Sequence, residues 1–381
     1  MNFELNQEQQ QLADSVKRMI EKDYDFETRK KVVASAQGHS PAAWATFAEL
    51  GLLGLPLSEE SGGFGGGAVD LIAIMEAIGT GLVLEPYLST VGLAGRLIDR
   101  HGSPAMKAAV LPAVVDGRCK LALAHYEPGG RFSNTAVALP AWREGNGHVI
   151  QGGKVAVIDA PLADKLLVSA RTSGKAGDAG GISLFLVDAK APGVSMKTYR
   201  TQDSLRGAEV GFDKVALSAD SLVGAEGQGL AMLEEALDFA GALLCAEAVG
   251  AMKYACDTTL EYLKTRKQFG QNIGAFQALQ HRMVDMCIST EQARSITYLA
   301  CAKVGPDTPA AERSRTVAAA RVKVADACRH VGQEAIQLHG GMGMSDEMPV
   351  GLYFKRLRCI DMTWGNSDYQ LEQYAQLMQI A

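Results

Sequence analysis

The sequence is short of several things that would point to a function at once. It has seven cysteines, an odd number, and no C-x-x-C pair. Scattered single thiols of this kind predict reduced cysteines and a cytoplasmic setting rather than a disulfide framework. The seven histidines form no H-x-x-x-H or related pair, so no metal site is expected. The net charge is −6 and the basic residues are dispersed, which leaves no electrostatic footprint for nucleic acid. No apolar run reaches the length of a membrane span. The longest, Phe239–Met252, is interrupted by Glu247. The polar start MNFELNQEQQQLADSV does not read as a signal peptide. Internal repeats and low-complexity segments are absent.

What is present is enough apolar residue, 47% of a 381-residue chain, for a soluble globular protein of two or three domains. Residues 1–113 read as helices. The spacing predicts Gln7–Lys22, with an apolar stripe at Leu12, Val16, Met19 and Ile20, then Pro41–Leu50, Ala68–Gly79, Leu88–His101 and Pro104–Asp116. The glycine cluster Gly62–Gly67 reads as a mobile loop; no Lys-Ser/Thr follows it to make a phosphate cradle. Between 114 and 223 the period shortens. Lys120–His125, His148–Gly152, Lys165–Ala170, Ile182–Asp188 and Gly211–Leu217 are apolar or alternating runs bounded by Gly, Pro and Asp, the pattern of a small β-domain. From 224 to 381 longer helices return: Gly229–Lys264, Ala275–Val304, Ala310–Leu338 and Gln370–Ile380. Short links between them suggest a four-helix bundle. The expected class is α+β, in three domains: 1–113, 114–223 and 224–381.

Two stretches carry more chemistry than a helical bundle needs. Tyr262–Met286 reads YLKTRKQFGQNIGAFQALQHRMVDM, with Gly270–Gly274 as the turn between two helices. Gln337–Met344 reads QLHGGMGM. The first resembles the acyl-CoA dehydrogenase signature Arg-x-x-Phe-Gly followed by Phe-Gln, and the second resembles that family's Gln-x-x-Gly-Gly-x-Gly. A weaker match is Tyr126-Glu127-Pro128, where the family has Thr-Glu-Pro. The three stand in the family's order across nearly the whole chain. QLHGGMGM followed by GLYFKRL is similar to small subunits described as pimeloyl-CoA dehydrogenases and to sterol-degradation members.

The resemblance implies FAD-dependent desaturation of an acyl-CoA in fatty acid or steroid β-oxidation. It also implies electron-transfer flavoprotein as acceptor, and a tetramer or a heteromer with a homologous chain. Residue by residue, Arg266 matches the arginine that meets the flavin diphosphate, and its charge and fork geometry suit that task. Phe269 belongs to the same signature, and Phe276 and Gln277 match adenine-side contacts. Gln337, Gly340 and Gly341 match the segment along the diphosphate. Tyr126 and Ser367 match flavin contacts in the β-domain and near the C-terminus. Asp238 matches an aspartate that meets the CoA adenine, though its usual arginine partner is Gly241. The plain alternatives are a solvated helix-end cation for Arg266 and an ordinary turn for the glycines. The family's Thr-Glu-Pro-Gly-Ala-Gly-Ser-Asp becomes Tyr126–Ser133 with altered hydroxyls, and its Trp-Ile-Thr becomes Ala156-Val157-Ile158.

Proton abstraction needs a carboxylate. The family's usual Glu near the C-terminus aligns with Trp364, expected instead to line the substrate site. The second family location aligns with Ala240. Glu247 follows Ala240 by seven residues, about two turns, and so returns to the same helix face. It is either the base or a carboxylate that pairs with an arginine across the bundle or faces water.

Overall fold

The computed structural model describes the backbone of residues 7–379 and side chains from residue 10 onward. Ile380, the last residue expected in the final helix, lies outside the described residues, as do Met1–Asn6. In chain order, helices α1 (Gln7–Asp23), α2 (Phe26–Ala34), α3 (Pro41–Glu49) and α4 (Ala68–Gly81) are followed by a π-helical stretch, Leu88–Gly95. That stretch runs into α5 (Arg96–His101), and α6 (Pro104–Val115) follows. Ser40 and Ser103 start α3 and α6: each accepts a backbone N–H three residues on, with proline at the first helical position.

The β region contains β1 (Leu121–Ala124), β2 (Ala141–Glu144), β3 (Gly147–Ile158), β4 (Lys165–Arg171), β5 (Ile182–Asp188), β6 (Val194–Arg200), β7 (Arg206–Leu217) and β8 (Leu222–Val223). They form two four-stranded sheets, ordered β1-β4-β5-β8 and β2-β3-β7-β6. Among the described strands only β1 and β4 pair in parallel, with Leu121 opposite Lys165. Side chains of both sheets, among them Ala124, Ile150, Val168, Phe185, Val210 and Phe212, share one apolar core. The strands β2 and β6 were not expected. Both are sheet edges with mostly exposed side chains, so they lack the alternation that marks a half-buried strand.

The chain then forms α7 (Gly229–Thr265), a hairpin of β9 (Lys267–Gln268) and β10 (Gln271–Asn272), α8 (Gln277–Lys303), α9 (Ala310–His339), α10 (Val350–Met362) and α11 (Ser367–Gln379). α9 is the centre of this region and packs on α8, α10 and α11. This order of helices, β-domain and helices is the expected class. Helix α10 was missed, although its buried positions 350, 353, 357, 360 and 361 are spaced as a helical stripe.

The described chain divides into two compact units. One gathers the residues up to Lys31, Gly67–Val83 and everything from Gly241; the other holds Val32–Gly66 and Leu84–Ala240. In the second unit the glycine-rich loop is not loose. The amides of Gly62, Gly63, Phe64, Gly65 and Gly66 all bond to backbone carbonyls between Gly54 and Glu59. A Cβ on Gly63 would lie 2.3 Å from the carbonyl oxygen of Leu57. With its N–H groups turned inward, the loop offers nothing to a phosphate.

Candidate functional site

In the unit that holds the C-terminal helices, Glu247 is 3% exposed and stands alone as a charge in the run Phe239–Met252. A buried carboxylate needs a partner. Arg356 of α10 supplies one: its Nε donates to Glu247 Oε1 at 2.6 Å, with the arginine side chain 12% exposed. Tyr353 sets this up. Its ring stacks on Tyr254 of α7 at 4.2 Å, and its hydroxyl donates to the carbonyl of Thr80. Arg356 follows Tyr353 by one helical turn, and Glu247 precedes Tyr254 by two, so both lie on the facing sides. The expected alternative of an arginine across the bundle is therefore present. Arg356 itself was missed because α10 was missed; the sequence signal was the need of a buried glutamate for a cation.

The Thr363–Gly365 segment, where the family glutamate aligns, carries Trp364 at φ +55°. Arg321, buried on α9, donates to the carbonyls of Thr363 at 2.5 Å and Gly365 at 3.0 Å. Its guanidinium caps the carbonyl end of α10 and holds this strained turn. The amide of Ser367 donates to Asp361 Oδ1 at 3.1 Å.

The Arg266 stretch differs from expectation in its local form. Instead of one turn over Gly270–Gly274, β9 and β10 make a two-residue hairpin with Phe269 at φ +55° and Gly270 at φ +79°, followed by a 3₁₀ turn over Ile273–Ala275. Positive φ at both central positions is what such a hairpin requires. Arg266 is exposed, and Phe269 is 87% exposed with its edge toward the Phe276 ring. Gln277 is the first, exposed residue of α8, and Gln337 is exposed in the last turn of α9. Gly340, at φ +60°, donates its N–H to the Gln337 carbonyl, and nothing lies within 4 Å of where a Cβ would stand on Gly340 or Gly341. The two motifs meet through Tyr262 and His339, whose rings stack at 4.4 Å. An exposed guanidinium, an exposed aromatic ring and bare glycine backbone suit an anionic dinucleotide such as FAD, so the residues fit that group.

The β-domain segment lies in the other unit. The Tyr126 carbonyl accepts from Val155 N at 2.8 Å. Glu127 accepts from Ala138 N and Leu139 N, and from Lys154 Nζ at 2.6 Å. Lys154, whose side chain is fully buried, also donates to the His125 carbonyl and to Ser169 Oγ. Burial lowers its pKa to about 8 against the pull of Glu127, and burial, joined by Lys154, pushes His125 down to about 3. Sequence reading missed this network. It fixes the Tyr126–Pro128 segment against β3, where a bulge leaves Ala156 exposed at φ +53°. Ser133 is occupied by Thr135, with their hydroxyls 3.1 Å apart. Asp238 is half-buried on α7. Beside it, Arg96 lies 3.8 Å over the Phe239 ring, and Glu235 gathers Arg96, Arg100 and His101.

Among the described residues no helix is long and apolar enough to cross a membrane, and no three His, Cys, Asp or Glu side chains gather to hold a metal.

Comparison with known proteins gives three adjoining matches: the acyl-CoA dehydrogenase N-terminal domain over residues 6–118, the middle domain over 122–215 and the C-terminal domain over 227–379. The mitochondrial isovaleryl-CoA dehydrogenase of Oryza sativa subsp. japonica is 30% identical over 342 residues, 87% of this chain and 82% of that protein. The chain resembles the solved ChsE4-ChsE5 complex from Mycobacterium tuberculosis with a TM-score of 0.90 at 26% identity, covering all of both chains. An FAD complex of PigA matches with a TM-score of 0.91 at 26% identity, again over the whole of both chains.

Proposed function

Since this chain belongs to the acyl-CoA dehydrogenase family of FAD-dependent oxidoreductases, we propose that it desaturates an acyl-CoA between the α and β carbons of the acyl chain, with Glu247 as the general base. One observation carries this reading: Glu247 is a lone carboxylate buried in an otherwise apolar stretch of α7. Such burial is costly and is kept where a carboxylate has work to do. Glu247 takes the α-proton from the substrate while the β-hydrogen leaves with its electron pair. Bound FAD supplies the acceptor for that hydride. Arg356 orients the Glu247 carboxylate and offsets its charge before the proton arrives. Arg266, Gln337, Gly340 and Gly341 hold the flavin diphosphate. Phe269, Phe276 and Gln277 meet its adenine side, and Tyr126 and Ser367 its ring side. Asp238 contacts the CoA, and Trp364 bounds the acyl group.

The exposed Arg266, Phe269, Gly340 and Gly341 support assembly, as a tetramer of this chain or a heteromer with a homologous one. Electron-transfer flavoprotein is the proposed acceptor, β-oxidation of fatty or steroid acyl chains the proposed process, and the cytoplasm the proposed site. The division into 1–113, 114–223 and 224–381 is proposed as the functional one.

A second reading has one observation in its favour. Glu247 already holds a salt bridge, which is what a non-catalytic partner subunit would keep. An oxidase working on acyl-CoA would be told apart by oxygen consumption without added acceptor. The deciding experiment is anaerobic addition of acyl-CoA thioesters to the purified flavoprotein, alone and with its homologous partner. Bleaching of the flavin in the parent but not in Glu247→Gln supports the base. Equal bleaching in both sinks it and favours the partner-subunit reading.

A further inference from the structure

Tyr262 stands in the last turn of α7, four residues before Arg266. His339 is the last residue of α9, one before Gly340. Their rings stack at 4.4 Å with 28° between planes. His339 is 2% exposed, and its Nδ1 lies 2.8 Å from the Ala335 carbonyl oxygen. A carbonyl can only accept, so Nδ1 carries the proton and Nε2 is a bare lone pair. That Nε2 is buried and has no hydrogen-bond partner among the described residues. An unsatisfied buried acceptor is a cost the fold carries for something else.

Both motifs fold back close to the residues that carry this ring pair. A Cβ on Gly274 would lie 2.8 Å from the Leu263 carbonyl, so the turn after the hairpin folds back onto the residue next to Tyr262. A Cβ on Gly343 would lie 2.7 Å from the Ile336 carbonyl and 3.1 Å from His339 Cβ, so the glycine segment folds back onto His339. The Ile273 amide closes the hairpin by donating to the Arg266 carbonyl at 2.9 Å.

We propose that Tyr262 and His339 form a clasp that sets the spacing between Arg266 and the Gly340-Gly341 backbone, and so are positioning residues for the flavin diphosphate. The histidine serves two ends. Its Nδ1–H fixes the ring to the end of α9, and its face meets Tyr262. A leucine would fill the volume with neither hold. The two groups proposed to face the phosphates come from different helices, the end of α7 and the end of α9, and a diphosphate is short, so their separation has to be fixed before binding rather than during it. The clasp rests on the flavin-site reading given above.

The test is the dissociation constant of FAD from the purified assembly, read by the fluorescence of released flavin on dilution. The melting temperature of each apoprotein is measured alongside. Tyr262→Leu and His339→Leu are expected to weaken FAD binding by roughly tenfold, the scale of one lost aromatic pair, with each apoprotein still folded and melting cooperatively. Tyr262→Phe keeps the stacking face and retains parent affinity. Parent affinity in both leucine variants, or equal loss in Tyr262→Phe and Tyr262→Leu, overturns the clasp. Should Tyr262→Leu fail to fold, His339→Leu and Tyr262→Phe decide alone. Arg266→Ala separates the two levels: no loss of FAD there overturns the flavin site, whereas loss there with none in the leucine variants overturns only the clasp.

Discussion

The guanidinium of Arg356 donates through Nε to Glu247 Oε1 at 2.6 Å, tying α10 to the buried face of α7. The pair separates two roles that one substitution would confuse. Glu247→Gln keeps size and hydrogen bonding but cannot take a proton, and flavin reduction should slow on the order of 10²–10⁴-fold. Arg356→Leu instead strands a buried carboxylate and should cost about 3–5 kcal/mol of stability. Adding Glu247→Gln to Arg356→Leu should recover part of that loss, because the stranded charge is gone. Urea unfolding of the four proteins gives the coupling. Zero coupling would mean the ion pair contributes nothing to the fold.

Arg266 is exposed beside a hairpin whose outer face is aromatic. Removing it should leave the fold intact, since its side chain is exposed. Arg266→Ala should lower flavin retention by about 1.5–3 kcal/mol, the scale of a hydrogen bond to a charged group. Absorbance of the flavin per subunit after dilution checks this, and the effect should shrink at high salt.

The motifs at Arg266 and Gly340 were legible because each residue type there answers a backbone or charge demand that ordinary helices lack. The strands with apolar alternation were legible for the same reason. β2 and β6 were not, since edge strands bury little and so leave no period in the sequence. Glu247 announced itself as a charge in an apolar run, but its partner did not: nothing local to Arg356 distinguishes it from Lys355 or Arg358. The Lys154 network was hidden in the same way, as the burial of a lysine is decided by tertiary packing. The small residues that follow Glu247 on α7 are in part used by α4, because Gly250 and Ala251 meet the backbones of Glu76 and Gly79.

Glu235 gives a pH prediction. Its burial raises its pKa, but His101, Arg100 and Arg96 outweigh that and bring it down to about 2, from 4.5. The unfolded chain therefore binds this proton at higher pH than the folded one. The cluster's stabilisation through Glu235 is complete above pH 4.5 and is lost as pH falls toward about 2. Glu235→Gln should be less stable than the parent at neutral pH, and its stability should fall less steeply in that acid window. Parallel acid-unfolding curves would show that the three cations do not act on this carboxylate.

The crossing of α4 and α7 has no room for a methyl group. A Cβ on Gly250 would stand 1.9 Å from the Glu76 carbonyl oxygen, and one on Gly79 would stand 1.9 Å from the Glu247 carbonyl oxygen. Neither obstacle is a movable side chain, so the helices must separate. Gly250→Ala should destabilise by about 1–3 kcal/mol or more despite the better helix propensity of alanine. Gly241→Ala is the control on the same helix: its Cβ would meet only side-chain atoms, the nearest 3.3 Å away on Val317. It should lie within about 1 kcal/mol of the parent. Urea midpoints rank the three proteins, and equal midpoints for Gly250→Ala and Gly241→Ala would show that the crossing relaxes freely. Gly79→Ala carries a further consequence, because the backbone it displaces is that of Glu247. If Glu247 is the base, Gly79→Ala should slow flavin reduction even under conditions where the protein remains folded, while Gly250→Ala, one turn further on, should slow it less.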